Sequence, residues 1–349
     1  MPGKSSKNIL VLRFSAMGDV AMTVPVLLAL TQQHPKLKIT VASRVNFKPF
    51  FDDIPNVNFY VTDFNTTHKG FFGLLNLYKG LKKQRIYAVA DLHNVLRSKV
   101  ITRLFAFKGK KTATTNKLRD QRKLLTAPTN KVFTPMQPVT QRHAHVFAQL
   151  GFPVKLNPPV FLEKQPIPID ITDAFGQKTG NWIGIAPFAQ HRSKVYPTDV
   201  MQEVINTLAR DTHNTLFLFG GDKAEAKLLK SFAGTHKNIK VIAGGKLSLR
   251  QELRLISNLD LMLSMDSANA HMAAMYGVKV VTLWGATHPY AGFAPFAQPL
   301  KNTLVSDREK YPMLPTSIYG NKVVEGYEDA MRTITPAMVV DKIYEVLAK

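Results

Sequence analysis

Short apolar runs alternate with amphipathic helical segments along this chain, and the alternation occurs twice. Residues 8–14, 38–44, 57–63 and 87–93 read as strands, with helical stretches at 20–34 and 73–84 between them. The pattern restarts at 181–188 and continues with strands at 215–221, 239–244, 259–265 and 278–285. Helices at 199–212, 223–234, 249–259 and 270–277 separate these strands. Strands joined through helices cannot pair as hairpins, so each half predicts a parallel sheet with helices on its faces. The fold class expected is α/β, two doubly wound domains facing each other across a cleft.

Between the halves, residues 154–170 carry Pro158, Pro159, Pro166 and Pro168 and little helical periodicity. Proline removes a backbone donor and resists helix, so this stretch reads as the interdomain connection. It sets a first domain over 1–165 and a second over 166–330, with an amphipathic helix over 331–349 closing the chain. A length of 349 residues exceeds what one compact core usually holds.

Several functions are disfavoured at once. The chain has no cysteine, so disulfides, thiolate metal sites and cysteine nucleophiles are excluded. The apolar run 9–12 is too short for a signal-peptide core, and no stretch approaches the ~18 apolar residues of a membrane span. A soluble, unexported, cytoplasmic protein is expected. With 46 basic against 24 acidic residues the net charge is +22, a surface that attracts polyanions. No RNA-recognition, KH or zinc-finger signature accompanies that charge, so nucleic acid is not the expected partner.

In parallel sheets, ligands bind at the carboxyl ends of the strands, so the loops there carry the candidate chemistry. The first, Ser15 to Asp19, has the single glycine Gly18; it is neither a dinucleotide fingerprint nor a P-loop. Asp19 is placed to accept a proton from a sugar hydroxyl, or else to cap a helix. Gln190 to Lys194 follows the strand at 181–188; it reads as a diphosphate site or as a solvated basic turn. Asp266, Ser267 and His271 open a helix after the strand at 259–265. Asp266 suits ribose or capping, and His271 suits a phosphate or a packed core position. Gly220, Gly221 and Asp222 with Glu225 suit a nucleotide ribose, or a glycine-rich turn with a capping acid. Residues 97–123 hold ten Lys or Arg and one acid, Asp120; Arg97, Lys99, Lys117, Arg119 and Arg122 are candidates for an anionic acceptor or an anionic membrane surface. No Asp-x-Asp or zinc-type spacing occurs, so no metal and no cofactor are expected, and cations take the leaving-group charge.

These segments together resemble the lipopolysaccharide heptosyltransferases of glycosyltransferase family nine. The resemblance rests on residues 9–30 (ILVLRFSAMGDVAMTVPVLLAL), 89–93 (VADLH with Asp91), 183–197 (IGIAPFAQHRSKVYP), 216–229 and 241–289. It implies a GT-B fold and an inverting, metal-independent transfer of heptose from ADP-heptose to an anionic lipopolysaccharide-core acceptor. It implies Asp19 as general base, Lys194 on the donor diphosphate, and Asp266, Ser267 and His271 on the donor phosphates. Glu225 then meets the ribose, Gly18 and Gln190 join the donor site, and the closing helix returns to the N-terminal domain. Ala268 stands where the family has glycine, which adds a methyl group and restricts positive φ. The basic stretch adds an expectation of peripheral contact with the inner face of the inner membrane. A catalytically silent nucleotide-sugar-binding protein of the same fold, or a transferase acting on another surface glycan, are the alternatives.

Overall fold

The computed structural model describes residues 7–167, 169–322 and 324–349. Residues 1–6, Pro168 of the expected connection and Val323 lie outside the described residues. The chain divides into two compact units. The first comprises residues up to Lys117 together with Val139–Leu162; the second comprises Leu118–Pro138 and Glu163–Lys349.

In the first unit, β1 (Asn8–Leu12), β2 (Lys38–Arg44), β3 (Val57–Thr62), β4 (Ala88–Asp91) and β5 (Lys111–Thr114) form one sheet in the order β3-β2-β1-β4-β5. Every pairing is parallel. The helices are α1 (Met17–Ala21), α2 (Val24–Gln33), α3 (Gly70–Lys82), α4 (Leu96–Ala106) and, after the excursion into the second unit, α6 (Val139–Gln149). β1 lies at the centre of the sheet, so Ile9 to Leu12 are fully buried. That explains a continuous apolar run where a one-sided strand would alternate. Leu10 and Leu12 pack with Leu74, Leu77, Leu81, Ile101 and Phe105 of α3 and α4.

The helix expected over 20–34 is two helices. α1 ends at Ala21, and Pro25 falls in the first turn of α2, where its missing N–H removes no intrahelical bond. Eight of the ten α2 residues are buried, and α2 packs against α6.

In the second unit, β6 (Asn181–Ala186), β7 (Asn214–Phe219), β8 (Ile239–Ile242), β9 (Leu261–Met265), β10 (Lys279–Trp284) and β11 (Thr303–Val305) follow the order β11-β10-β9-β6-β7-β8, again all parallel. Its helices are α5 (Arg119–Leu125), α7 (Ile169–Phe175), α8 (Thr198–Arg210), α9 (Lys223–Ala233), α10 (Leu249–Ile256), α11 (Ala268–Ala274) and α12 (Pro336–Leu347). β6 is central, and a Cβ at Gly184 would lie 2.6 Å from Leu259 Cδ1 and 2.9 Å from Met262 Cε. Glycine is what lets β9 and its neighbours close on β6 there.

Two expectations about domain membership are corrected. The closing helix α12 does not join the first unit: Val339, Ile343 and Val346 are part of the second unit's core, with α12 packed on α8, β9 and β10. Its apolar stripe is consumed by the sheet nearest in sequence. Residues 118–138, assigned above to the first domain, belong to the second unit. Leu125 and Met136 pack there with Ala291, Tyr290 and Phe293, and the Met136 N–H donates to the Tyr290 carbonyl at 2.8 Å. Among the described residues no helix is long and apolar enough to cross a membrane.

Candidate active site

Both sheets reverse their winding direction at one place. In the first, β1 leads outward to β2 and β3, while its other neighbour β4 leads to β5. In the second, β6 leads to β7 and β8, while β9 leads to β10 and β11. Connections leave such a strand pair in opposite directions, which opens a crevice at the carboxyl ends. The candidate residues cluster at these two places.

At the β1/β4 point, Arg13 follows the last residue of β1 and is 7 % exposed. Its Nη1 donates to the Leu92 carbonyl at 2.7 Å, and its Nη2 lies 2.6 Å from Oδ2 of Asp19. Asp19 is the third residue of α1, next to Gly18. The N-cap is Ala16, so the capping alternative for Asp19 does not hold. The Asp19 side chain keeps 27 % of its surface exposed, so solvent reaches a carboxylate that Arg13 orients.

From β4, Asp91 is fully buried. Its Oδ1 accepts from the His93 and Asn94 N–H groups, and its Oδ2 accepts from Ser98 Oγ at 2.9 Å. Asp91 therefore folds the β4–α4 turn. Burial raises its pKa, opposed by those hydrogen bonds and by Lys117. The turn delivers His93, whose Nδ1 accepts from the Phe14 N–H at 3.3 Å. Burial, then the charges of Arg13 and Lys117, push His93 down to about 3, so it is neutral at physiological pH. On α6, His143 is 1 % exposed and is likewise pushed down to about 3 by burial and then by Arg13.

At the β6/β9 point, Lys194 ends a 3₁₀ turn spanning Arg192–Lys194. Its Nζ lies 2.9 Å from Oδ2 of Asp266, and Thr287 Oγ1 donates to the same oxygen at 2.9 Å. Asp266 is 8 % exposed and does not cap α11, whose N-cap is Ser267; its Oδ2 holds Lys194. The turn is anchored by Ser193, whose Oγ donates to the Gly320 carbonyl at 2.6 Å and whose carbonyl accepts from the Ala286 N–H at 3.0 Å. A Cβ at Gly320, which has φ +81°, would fall 2.5 Å from Lys194 Cδ, so glycine makes room for the lysine stem. Gln190, by contrast, is exposed in the preceding loop.

Ser267 is the N-cap of α11; its Oγ lies 3.0 Å from Ser264 Oγ rather than on a helix N–H. Ala268 is the first residue of α11 and is absent from the positive-φ positions, so the methyl group that replaces the family's glycine meets no backbone strain. His271 follows in the same helix and is 7 % exposed. Glu225 accepts from the Gly221 N–H at 2.6 Å, while Asp222 caps α9 by accepting from the Glu225 N–H at 2.8 Å. The pair locks the glycine turn, and the capping alternative describes Asp222.

The basic stretch is not one patch. Arg97 and Lys99 lie in the first turn of α4, at the carboxyl edge of the first sheet, while Lys111 opens β5 at the opposite edge. Lys117 acts on Asp91 and His93. Arg119 and Arg122 belong to α5 of the second unit, where the Arg122 guanidinium lies 5.4 Å from the Phe293 ring and its Nη1 donates to Tyr319 Oη at 2.5 Å.

The sequence reading did not single out Arg13, His93, His143 or Thr287. Arg13 had one available signal: it is a cation set directly against the apolar run 9–12.

Comparisons with known proteins bear on the family and the fold. The sequence profile of glycosyltransferase family 9 (heptosyltransferase) matches residues 74–320. The lipopolysaccharide core heptosyltransferase OpsX of Haemophilus influenzae is 24% identical over 287 residues, covering 82% of this chain and 81% of that protein. A family 9 glycosyltransferase of Veillonella parvula superposes with a TM-score of 0.77 at 18% identity, covering 99% of this chain and 98% of that one. The E. coli heptosyltransferase WaaC, solved with ADP-2-deoxy-2-fluoro heptose, superposes at 0.65 with 18% identity over 97% and 99% of the two chains. With a family profile spanning well over half its length and two parallel-sheet units of the GT-B type, this chain belongs to glycosyltransferase family 9, the heptosyltransferases.

Proposed function

We propose that this protein transfers heptose from ADP-heptose to an anionic lipopolysaccharide-core acceptor in one inverting displacement, without a metal ion. The observation that carries the reading is the partly exposed Asp19 carboxylate, held on one oxygen by Arg13 at the β1/β4 crevice. A general base needs that combination of access and fixed orientation. The acceptor hydroxyl oxygen attacks the anomeric carbon and its proton passes to Asp19. The bond from that carbon to the diphosphate oxygen breaks, and ADP departs with the electron pair.

Charge grows on the departing diphosphate. Lys194, pinned by Asp266 and Thr287, supplies a cation that needs no reorganisation, and Ser267 and His271 follow Asp266 at the start of α11. Gln190 and Glu225 complete donor contacts, Glu225 toward the ribose. Arg97, Lys99, Lys117, Arg119 and Arg122 are the cations available to acceptor phosphates or carboxylates. The protein works at the inner face of the inner membrane, where such an acceptor is presented. The donor class is the one named for the heptosyltransferase WaaC solved with an ADP-heptose analogue.

The test is turnover of ADP-heptose with lipopolysaccharide-core acceptor, followed by mass spectrometry. Asp19→Asn should lower kcat by about 10²–10⁴-fold while ADP affinity by calorimetry stays within about twofold. Undiminished turnover in that variant removes Asp19 from the base role. A wild-type protein that binds ADP but never consumes ADP-heptose is a silent binder.

A further inference from the structure

Three large apolar side chains stand in water at one edge of the first unit. Phe71 and Phe72, in the first turn of α3, are 63 % and 80 % exposed, and their rings touch edge to face at 6.0 Å. Leu96, the first residue of α4, is 78 % exposed. Single exposed apolar residues are ordinary, but grouped ones mark a contact surface. These are grouped by topology. α3 and α4 each begin after a strand of the same parallel sheet and pack side by side, so both first turns lie at its carboxyl edge. Asp19 lies at that same edge.

The base beneath the phenylalanines is rigid. Asp63 carboxylate oxygens accept from the Asn65 and Thr66 N–H groups and from Thr66 Oγ1, and His68 Nδ1 accepts from the Asp63 N–H at 2.9 Å. Gly73 lies so close to this loop that a Cβ would fall 2.3 Å from the His68 carbonyl carbon. With Gly73 and Leu74 facing inward, Phe71 and Phe72 are turned out.

The surroundings are basic. Lys69 precedes α3, Arg97 and Lys99 occupy the first turn of α4, and neither first turn contains an acid. The Arg97 guanidinium lies 4.9 Å from the Phe64 ring, Phe64 packs on Phe14 at 4.7 Å, and Phe14 meets His93 at 5.6 Å. A packed aromatic path thus connects this edge to the Asp19 crevice. Aromatic rings flanked by cations match the chemistry of an anionic bilayer interface: the rings enter the acyl boundary and the cations meet the headgroups.

We propose that Phe71, Phe72 and Leu96 form a hydrophobic anchor that inserts into an anionic phospholipid surface and sets the Asp19 edge against it. The anchor rests on the membrane-facing part of the proposed function and adds the element that inserts. A glycolipid acceptor then reaches Asp19 without leaving its bilayer.

The experiment uses the full chain with vesicles of phosphatidylethanolamine containing phosphatidylglycerol, and with neutral phosphatidylcholine vesicles as control. Wild type should co-sediment with the anionic vesicles only. A variant carrying F71S, F72S and L96S, with unchanged thermal stability, should bind them at least about tenfold more weakly. In a separate F72W variant the indole emission should shift to the blue on adding anionic vesicles. Wild-type affinity in the serine variant, or an unshifted F72W emission, overturns the anchor. A serine variant that binds vesicles normally but loses self-association marks the patch as a contact between copies, which also overturns it. Wild type that ignores anionic vesicles sinks the membrane reading together with the anchor, while turnover of ADP-heptose with a water-soluble acceptor fragment reports on transfer separately.

Discussion

One carboxylate oxygen, Oδ2 of Asp266, holds both the Lys194 ammonium and the Thr287 hydroxyl, each at 2.9 Å. The three residues come from the loops after β9, β6 and β10, three adjacent strands of the second sheet. The two charged side chains are only 14 % and 10 % exposed, so water screens them weakly. Removing one partner of such a pair leaves the other charge buried and uncompensated, which typically costs ~3–5 kcal/mol. We expect Lys194→Met and Asp266→Leu each to lower unfolding free energy by about 3 kcal/mol in urea titrations. The double variant should lose clearly less than the sum, because neither charge is then stranded. Additive losses would show that the two side chains are energetically independent. ADP affinity should fall in both Lys194 variants.

His143 gives the fold an acid sensitivity. Its pKa lies at about 3, below the ordinary 6.5, because burial and the Arg13 charge disfavour the imidazolium. Between those two values the unfolded chain binds a proton that the folded chain does not, so stability falls as pH drops below about 6.5. At pH 4.5 the loss from this one group is about 2–3 kcal/mol. Nδ1 of His143 has no hydrogen-bond partner among the described residues, so an apolar replacement removes no bond at that atom. His143→Leu should therefore flatten the decline in melting temperature between pH 6.5 and 4.5. An unchanged slope would place the acid sensitivity elsewhere, in His93 or His288, which are displaced in the same direction.

Glu252, in the first turn of α10, acts at the other end of the pH scale. Burial alone pushes its carboxyl up to about 7 from 4.5. The folded state then holds a proton that the unfolded chain releases between pH 4.5 and 7, so this group's contribution is present below 4.5 and is lost as pH rises through 7. Glu252→Gln should stabilise the protein at pH 8 by about 2 kcal/mol and by almost nothing at pH 4.5. Equal gains at both values would mean that the ionised carboxylate is not what costs stability.

Much of the architecture was legible because parallel strands buried on both faces leave an unmistakable trace. Residues 181–188 and 278–285 are apolar almost throughout, and β6 and β10 lie within them. The shortest elements left too little trace. β5 is Lys-Thr-Ala-Thr at a sheet edge, with one buried residue, and β11 has three residues and none buried. The amphipathic stripe of α12 was visible, but a stripe does not say which sheet it covers. The same limit hid the transfer of residues 118–138 to the second unit: Leu125 and Met136 find their apolar partners around Ala291, more than 150 positions later in the chain. The continuous run of cations from Arg97 to Lys123 looked like one surface, and chain reversals distribute it over two sheet edges and two units.

From the amino-acid order alone came the two wound sheets, the loops to search, and the acids and cations those loops carry, because strand burial and loop composition are local properties. The tertiary structure decided what each side chain is bound to. Asp19 is oriented by Arg13 rather than capping its helix, and Asp266 restrains Lys194 rather than capping α11. Arg13 and the Leu92 carbonyl are 79 residues apart in the chain and 2.7 Å apart in the fold, because β1 and β4 are neighbours across a reversal of winding that no local window contains.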